Sequence, residues 1–184
     1  MYGGLARHQM VTVDGLILVL CHEIGHHLGG APKYQGGRNW ASAEGQSDYY
    51  CSLKCFRLVV ANEDNVAIVA KMQIDPEVTK QCQATYTTEN EIAVCQRTSM
   101  AAYSVSKMMA GTKVINFTTP DLSQVSKTNE NHPAVQCRLD TFFQAALCIK
   151  SIDEDLTSND PTIGACSAKD GLKTGLRPTC WYKP

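Results

Sequence analysis

Asp14-Gly15-Leu16-Ile17-Leu18-Val19-Leu20-Cys21-His22-Glu23-Ile24-Gly25-His26-His27-Leu28 decides how this chain is read. Its first half is apolar nearly all round, the mark of a helix buried among others. Asp14 is a good N-cap for it. Gly29-Gly30 stops it and Pro32 prevents it resuming. The expected helix therefore covers about 14–29, and it ends in a cluster of histidines and one glutamate.

The cluster has a chemical logic. His22-Glu23-Ile24-Gly25-His26 matches H-E-x-x-H. Residues four apart lie one above the other on a helix face, so two imidazoles can bind one metal ion from the same side. Glu23 projects beside them, within reach of a water on that metal. A zinc ion lowers the pKa of such a water to roughly 7, and a carboxylate can take its proton. Gly25 leaves room for another element to pack against the turn between the ligands. His27 points away and is a neighbour rather than a ligand.

A catalytic zinc needs three protein ligands and one open position. The scheme H-E-x-x-H-x-x-G-x-x-H fails, because its last position is Pro32. The alternative draws a glutamate from a following helix. Ala43-Glu44-Gly45-Gln46-Ser47-Asp48 offers E-x-x-x-D near the start of a second long helix, expected over about 40–60. Glu44 and Asp48 share a face. Glu44 would complete the metal set with His22 and His26. Asp48 would accept a hydrogen bond from the far nitrogen of His22 and fix its tautomer. The seventeen residues between His26 and Glu44 permit a loop and an antiparallel return.

His22 to His26 with Glu44-x-x-x-Asp48 resembles the gluzincin zinc peptidases. His132-Pro133-Ala134-Val135-Gln136-Cys137-Arg138 resembles, more specifically, the H-P-x-x-x-x-R segment of soluble relatives of the CAAX prenyl protease and HtpX group. The resemblance covers Asp14 to about Arg57 and His132 to about Leu139. It implies a zincin-like α+β fold, mainly α, with a small N-terminal strand. It implies that His132 stabilises the oxyanion and that Arg138 braces the site by pairing with a carboxylate. It also implies that substrate adds as a strand to a sheet edge. Gly3, Gly4, Leu5, Ala6 and Arg7 are the residues placed to form that edge, which would also invite self-association. Tyr49 and Tyr50 are alternative hydroxyl donors, ranked below His132.

The rest of the chain sets bounds. At 184 residues it suits one domain, with a zinc-site core over 1–60, a helical part over 61–150 and a cysteine-containing tail over 151–184. Helices are expected from Asp75 to Ala84, from Glu89 to Ala110, and from His132-Pro133 to about Lys150. Gly111 to Asn131 reads as a loop. A net charge of -1 and scattered Lys and Arg point away from nucleic acid. The longest apolar run, Leu16 to Cys21, falls short of a membrane span.

Nine cysteines without a CxxC suggest disulfides and an exported, periplasmic or secreted protein. No signal sequence is visible, so the chain is expected to be a fragment of a longer precursor. Proximity in sequence suggests Cys82 with Cys95, Cys137 with Cys148 and Cys166 with Cys180; Cys21, inside an apolar helix, is the candidate odd thiol, and Cys51 and Cys55, on one helix face, pair elsewhere or not at all. The expected function is that of a zinc-dependent endopeptidase acting on peptide or protein. The alternatives are a non-catalytic or latent metal-binding domain of the same ancestry, and a disulfide-rich binding module without metal.

Overall fold

The computed structural model describes residues 3–184. The long helix runs Val13–Leu28 (α2), after a single turn at Gly3–Ala6 (α1). Its N-cap is Thr12, whose side chain accepts from the Gly15 N–H. Asp14 lies one residue inside and is gripped by Arg97, with Nε to Oδ2 at 2.6 Å and Nη2 to Oδ1 at 2.8 Å. A charge that could have capped the helix instead ties it to the helix that carries Arg97.

The second helix begins at Glu44, not at Trp40. Residues 40–42 are held by the returning loop, where Lys33 and Ser42 form an isolated antiparallel bridge. The helix is also not uniform. It is α-helical over Glu44–Tyr50 (α3), widens to a π turn over Cys51–Cys55, and resumes over Phe56–Val59 (α4). Such wide turns are rare and gather at functional sites. After it come Asn65–Val69 (α5), Pro76–Thr85 (α6), Glu89–Ala110 (α7) and Val135–Ala146 (α8). The starts of α6 and α7 follow local chemistry. Asp75 caps α6 ahead of Pro76, and Thr88 with Glu91 forms a reciprocal capping box on α7. The helix expected from His132 starts at Val135, so His132 and Pro133 belong to the loop before it.

The expected α+β class is overturned. About half the chain is helical, and the described residues contain no strand or sheet. Gly3–Ala6 is a helical turn with exposed or half-buried residues. The reason is physical. An isolated strand leaves its N–H and C=O groups unpaired, and the described residues contain no strand to pair with it. A helical turn satisfies its backbone locally. The edge expected at Gly3, Gly4, Leu5, Ala6 and Arg7 therefore does not exist, and neither strand addition of substrate nor edge-to-edge self-association has a basis.

Several helical elements bury the core. Leu18 of α2, Phe56 of α4, Ala101 and Ala102 of α7, and Leu139 and Phe142 of α8 are all fully or nearly fully buried in one cluster. A second cluster joins Tyr49 and Leu53 to Ala145 and to Ala165 and Cys166 of the tail. The Tyr49 hydroxyl donates to the Gly175 carbonyl at 2.6 Å and accepts from the Cys166 N–H at 3.2 Å. The tail is thus irregular but firmly packed, with Trp181 seated flat against Gly45, where any Cβ would collide with the indole.

Disulfides staple this arrangement: Cys21–Cys55, Cys82–Cys95, Cys137–Cys180 and Cys148–Cys166. Cys82–Cys95 falls as proximity suggested. The other two pairs guessed from spacing exchange partners, because α8 and the tail meet across the fold rather than locally. Cys21 is bonded, and the odd thiol is Cys51, buried in the π turn. No helix among the described residues is long and apolar enough to cross a membrane.

Candidate metal centre

Helices α2 and α3 cross at their closest where Gly25 faces Ser47, and a Cβ on Gly25 would sit 3.0 Å from the Ser47 Cα and carbonyl oxygen. That approach sets the ligands. His22 and His26 project from one face of α2, and Glu44 projects from the first turn of α3. One ligand atom from each lies within 4.8 Å of the others. His22 Nε2 is 3.3 Å from Glu44 Oε2, and His26 Nε2 is 3.8 Å from Glu44 Oε1. A tetrahedral ion with bonds of about 2.1 Å holds its ligand atoms about 3.4 Å apart. Glu44 Oε2 is buried and accepts no hydrogen bond. A buried carboxylate oxygen without a donor is costly, and a cation facing it removes the cost. The donor set, two imidazoles and a carboxylate, is that of catalytic zinc sites.

The other ring nitrogens are held from behind. His22 Nδ1 lies 2.8 Å from Asp48 Oδ1, close but off the ideal line of a hydrogen bond. Both groups are buried, so Asp48 is the charge that faces this nitrogen. His26 Nδ1 lies 2.9 Å from the Ser42 carbonyl oxygen, an acceptor that assigns the ring proton to Nδ1. Both rings therefore present Nε2 to the centre. Arg138 reaches Asp48 with two parallel hydrogen bonds, Nε to Oδ2 at 2.8 Å and Nη2 to Oδ1 at 2.7 Å. Burial alone would push the Asp48 carboxyl up, but Arg138 and then His22 outweigh it and hold it at about 2. Glu44 likewise resists burial and is held at about 2, chiefly by His22. His22 is raised, burial being outweighed by Asp48.

His132 enters from the loop before α8. Its ring is largely exposed, and Nε2 lies 3.1 Å from Glu44 Oε2. Glu23, exposed on the next position of α2, lines the same opening. Beside them is a pocket of about 160 Å³ walled by Leu18, Val19, Val105, Met108 and Phe142. Of the residues singled out from sequence, His22, Glu23, His26, Glu44, Asp48, His132 and Arg138 all meet here. Gly3, Gly4, Ala6 and Arg7 do not line it, and of that segment only Leu5 reaches the pocket. Tyr49 turns away into the core.

Three contributors carried no sequence signal. Tyr34 donates from its hydroxyl to Glu44 Oε1 at 3.0 Å. The Ser42 backbone holds His26, and the Ser47 hydroxyl lies 3.0 Å from His26 Nδ1. Tyr34 and Ser42 sit in a loop, where no periodicity marks which side chains turn inward. The triad Asp121, Cys137 and Cys180 also lies within ligand spacing. Its two sulfurs are bonded to each other, so it offers no thiolate.

Comparison with protein-family models, with characterised proteins and with solved structures returns no match for this chain.

Proposed function

We propose that the chain is a zinc-dependent endopeptidase, exported to an oxidising compartment. The observation that carries the reading is the convergence of His22, His26 and Glu44, with one buried carboxylate oxygen that lacks an aligned hydrogen bond. His22, His26 and Glu44 would hold the ion. Bound zinc supplies Lewis-acid polarisation of a peptide carbonyl and acidifies a water molecule. Glu23, exposed at the mouth of the pocket, takes the proton of the attacking water and returns it to the leaving amine. His132 donates a hydrogen bond to the oxygen of the carbonyl as it gains charge. Asp48, braced by Arg138, keeps the His22 ring from turning. The apolar pocket receives a substrate side chain next to the cleaved bond, and it fits an aliphatic or methionine side chain better than a charged one. Four disulfides support export, since such bonds persist in oxidising compartments.

The test pairs elemental analysis with a peptide-cleavage assay on the wild type and on Glu23→Gln. The expected result is one zinc per chain in both, and cleavage only by the wild type. Undiminished cleavage by Glu23→Gln overturns the mechanism. Stoichiometric zinc without cleavage of any unfolded protein would make the chain a non-catalytic metal-binding domain. Absence of zinc after exposure to it would leave a disulfide-rich binding module.

A further inference from the structure

The Glu44 carboxylate is treated unequally by its surroundings. Oε1 accepts from the Tyr34 hydroxyl at 3.0 Å, while Oε2 has no aligned hydrogen bond and lies 3.3 Å from His22 Nε2 and 3.1 Å from His132 Nε2. We propose that Tyr34 is a positioning residue that makes Glu44 bind metal through one oxygen only. The inference rests on the zinc reading above and extends it to a residue outside the motif.

The geometry supports the role from both ends. Tyr34 is buried, so its hydroxyl has little water to turn to. Its backbone N–H donates to the Ala41 carbonyl at 2.9 Å, and the Arg38 guanidinium lies over its ring, 4.3 Å from the centroid. Ser42, on the other side of the same short loop, accepts from His26 Nδ1 through its carbonyl and donates its N–H to the His26 carbonyl at 2.8 Å. One loop thus orients two of the three ligands, Glu44 through Tyr34 and His26 through Ser42. With one lone pair of Oε1 engaged by a phenol, Oε2 is the oxygen that offers a cation the less encumbered approach. A carboxylate released from that bond can close on the ion with both oxygens and fill the place that a water or substrate needs.

The test uses Tyr34→Phe in the full chain, which keeps the ring and its contact with Arg38. Zinc affinity is measured by competition with a chelator. The cobalt-substituted proteins are compared by visible absorption, whose d–d intensity falls as coordination number rises. The expected result is about ten- to hundredfold weaker zinc binding, with a weaker cobalt band in the variant. Equal affinity and an unchanged cobalt spectrum overturn the inference. A lower melting temperature of the metal-free variant with an unchanged cobalt spectrum also overturns it, since that is all a structural role predicts. Failure of the wild type itself to bind either metal overturns the zinc reading and this inference together. Binding by both proteins alike removes this inference alone.

Discussion

Arg138 and Asp48, ninety positions apart, meet through a two-pronged ion pair in which the carboxylate is wholly inaccessible to water. The pair joins α8 to α3 behind His22, so the candidate site and the seating of α8 share this contact. Removing one partner of a buried pair leaves an uncompensated charge, at a cost of about 3–5 kcal/mol. Arg138→Met should lose stability on that scale in urea unfolding. Asp48→Asn combined with Arg138→Met should recover much of it, while zinc affinity stays low because His22 has lost its orienting charge. A single variant as stable as the wild type would contradict this.

His132 should matter for turnover and little for metal retention, since it reaches Glu44 from an exposed loop rather than from the ligand helices. His132→Ala is expected to keep one zinc per chain and to lower kcat by about a hundred- to a thousandfold, with KM nearly unchanged. Loss of zinc from this variant would make His132 a ligand instead.

Asp140 gives the stability a pH dependence that is easy to isolate. Burial pushes its carboxyl up to about 6, against the opposing hydrogen bonds from the Asp121 N–H and the Gln136 amide. A carboxyl raised in the folded state binds its proton there while the unfolded chain has released it. Stability from this group therefore falls as pH rises from about 4 to about 6 and gains as pH drops through that window. Asp140→Asn should remove that slope. The difference in melting temperature between the two proteins, followed from pH 4 to pH 7, reads it directly.

The cysteine pairing makes a chemical prediction. Alkylation of the native protein should label no thiol, and alkylation after unfolding without reductant should label Cys51 alone. Replacing Cys137 and Cys180 together by alanine opens a loop of 43 residues. Loop-closure entropy then predicts a loss of about 4 kcal/mol. Peptide mapping that pairs Cys137 with Cys148 would refute the arrangement.

How much of this was legible in the chain varies with range. Helix α7 could be read to its ends, because Thr88 and Glu91 cap it and Gly111 ends it within a few positions. The shared face of His22 and His26, and that of Glu44 and Asp48, were legible because helical spacing is a local rule. The fold class was not. The expected strand at Gly3 to Arg7 was read from a short local stretch, with its edge role taken from likeness to other proteins, and a strand exists only if a partner does. Tyr34 and the Ser42 carbonyl stayed hidden because loop residues acquire their roles from contacts that no spacing encodes. The exchanged disulfides were missed for the same reason, since they record which segments meet after folding.

The bond from Cys21 to Cys55 sits immediately before His22 and crosses from α2 to the end of the π turn. The two helices that carry His22, His26 and Glu44 are therefore tied together beside His22. A newly made chain with reduced thiols holds these helices by packing alone. Under the proposed zinc reading, closing this bond in an oxidising compartment fixes the spacing of the helices that would hold the ion.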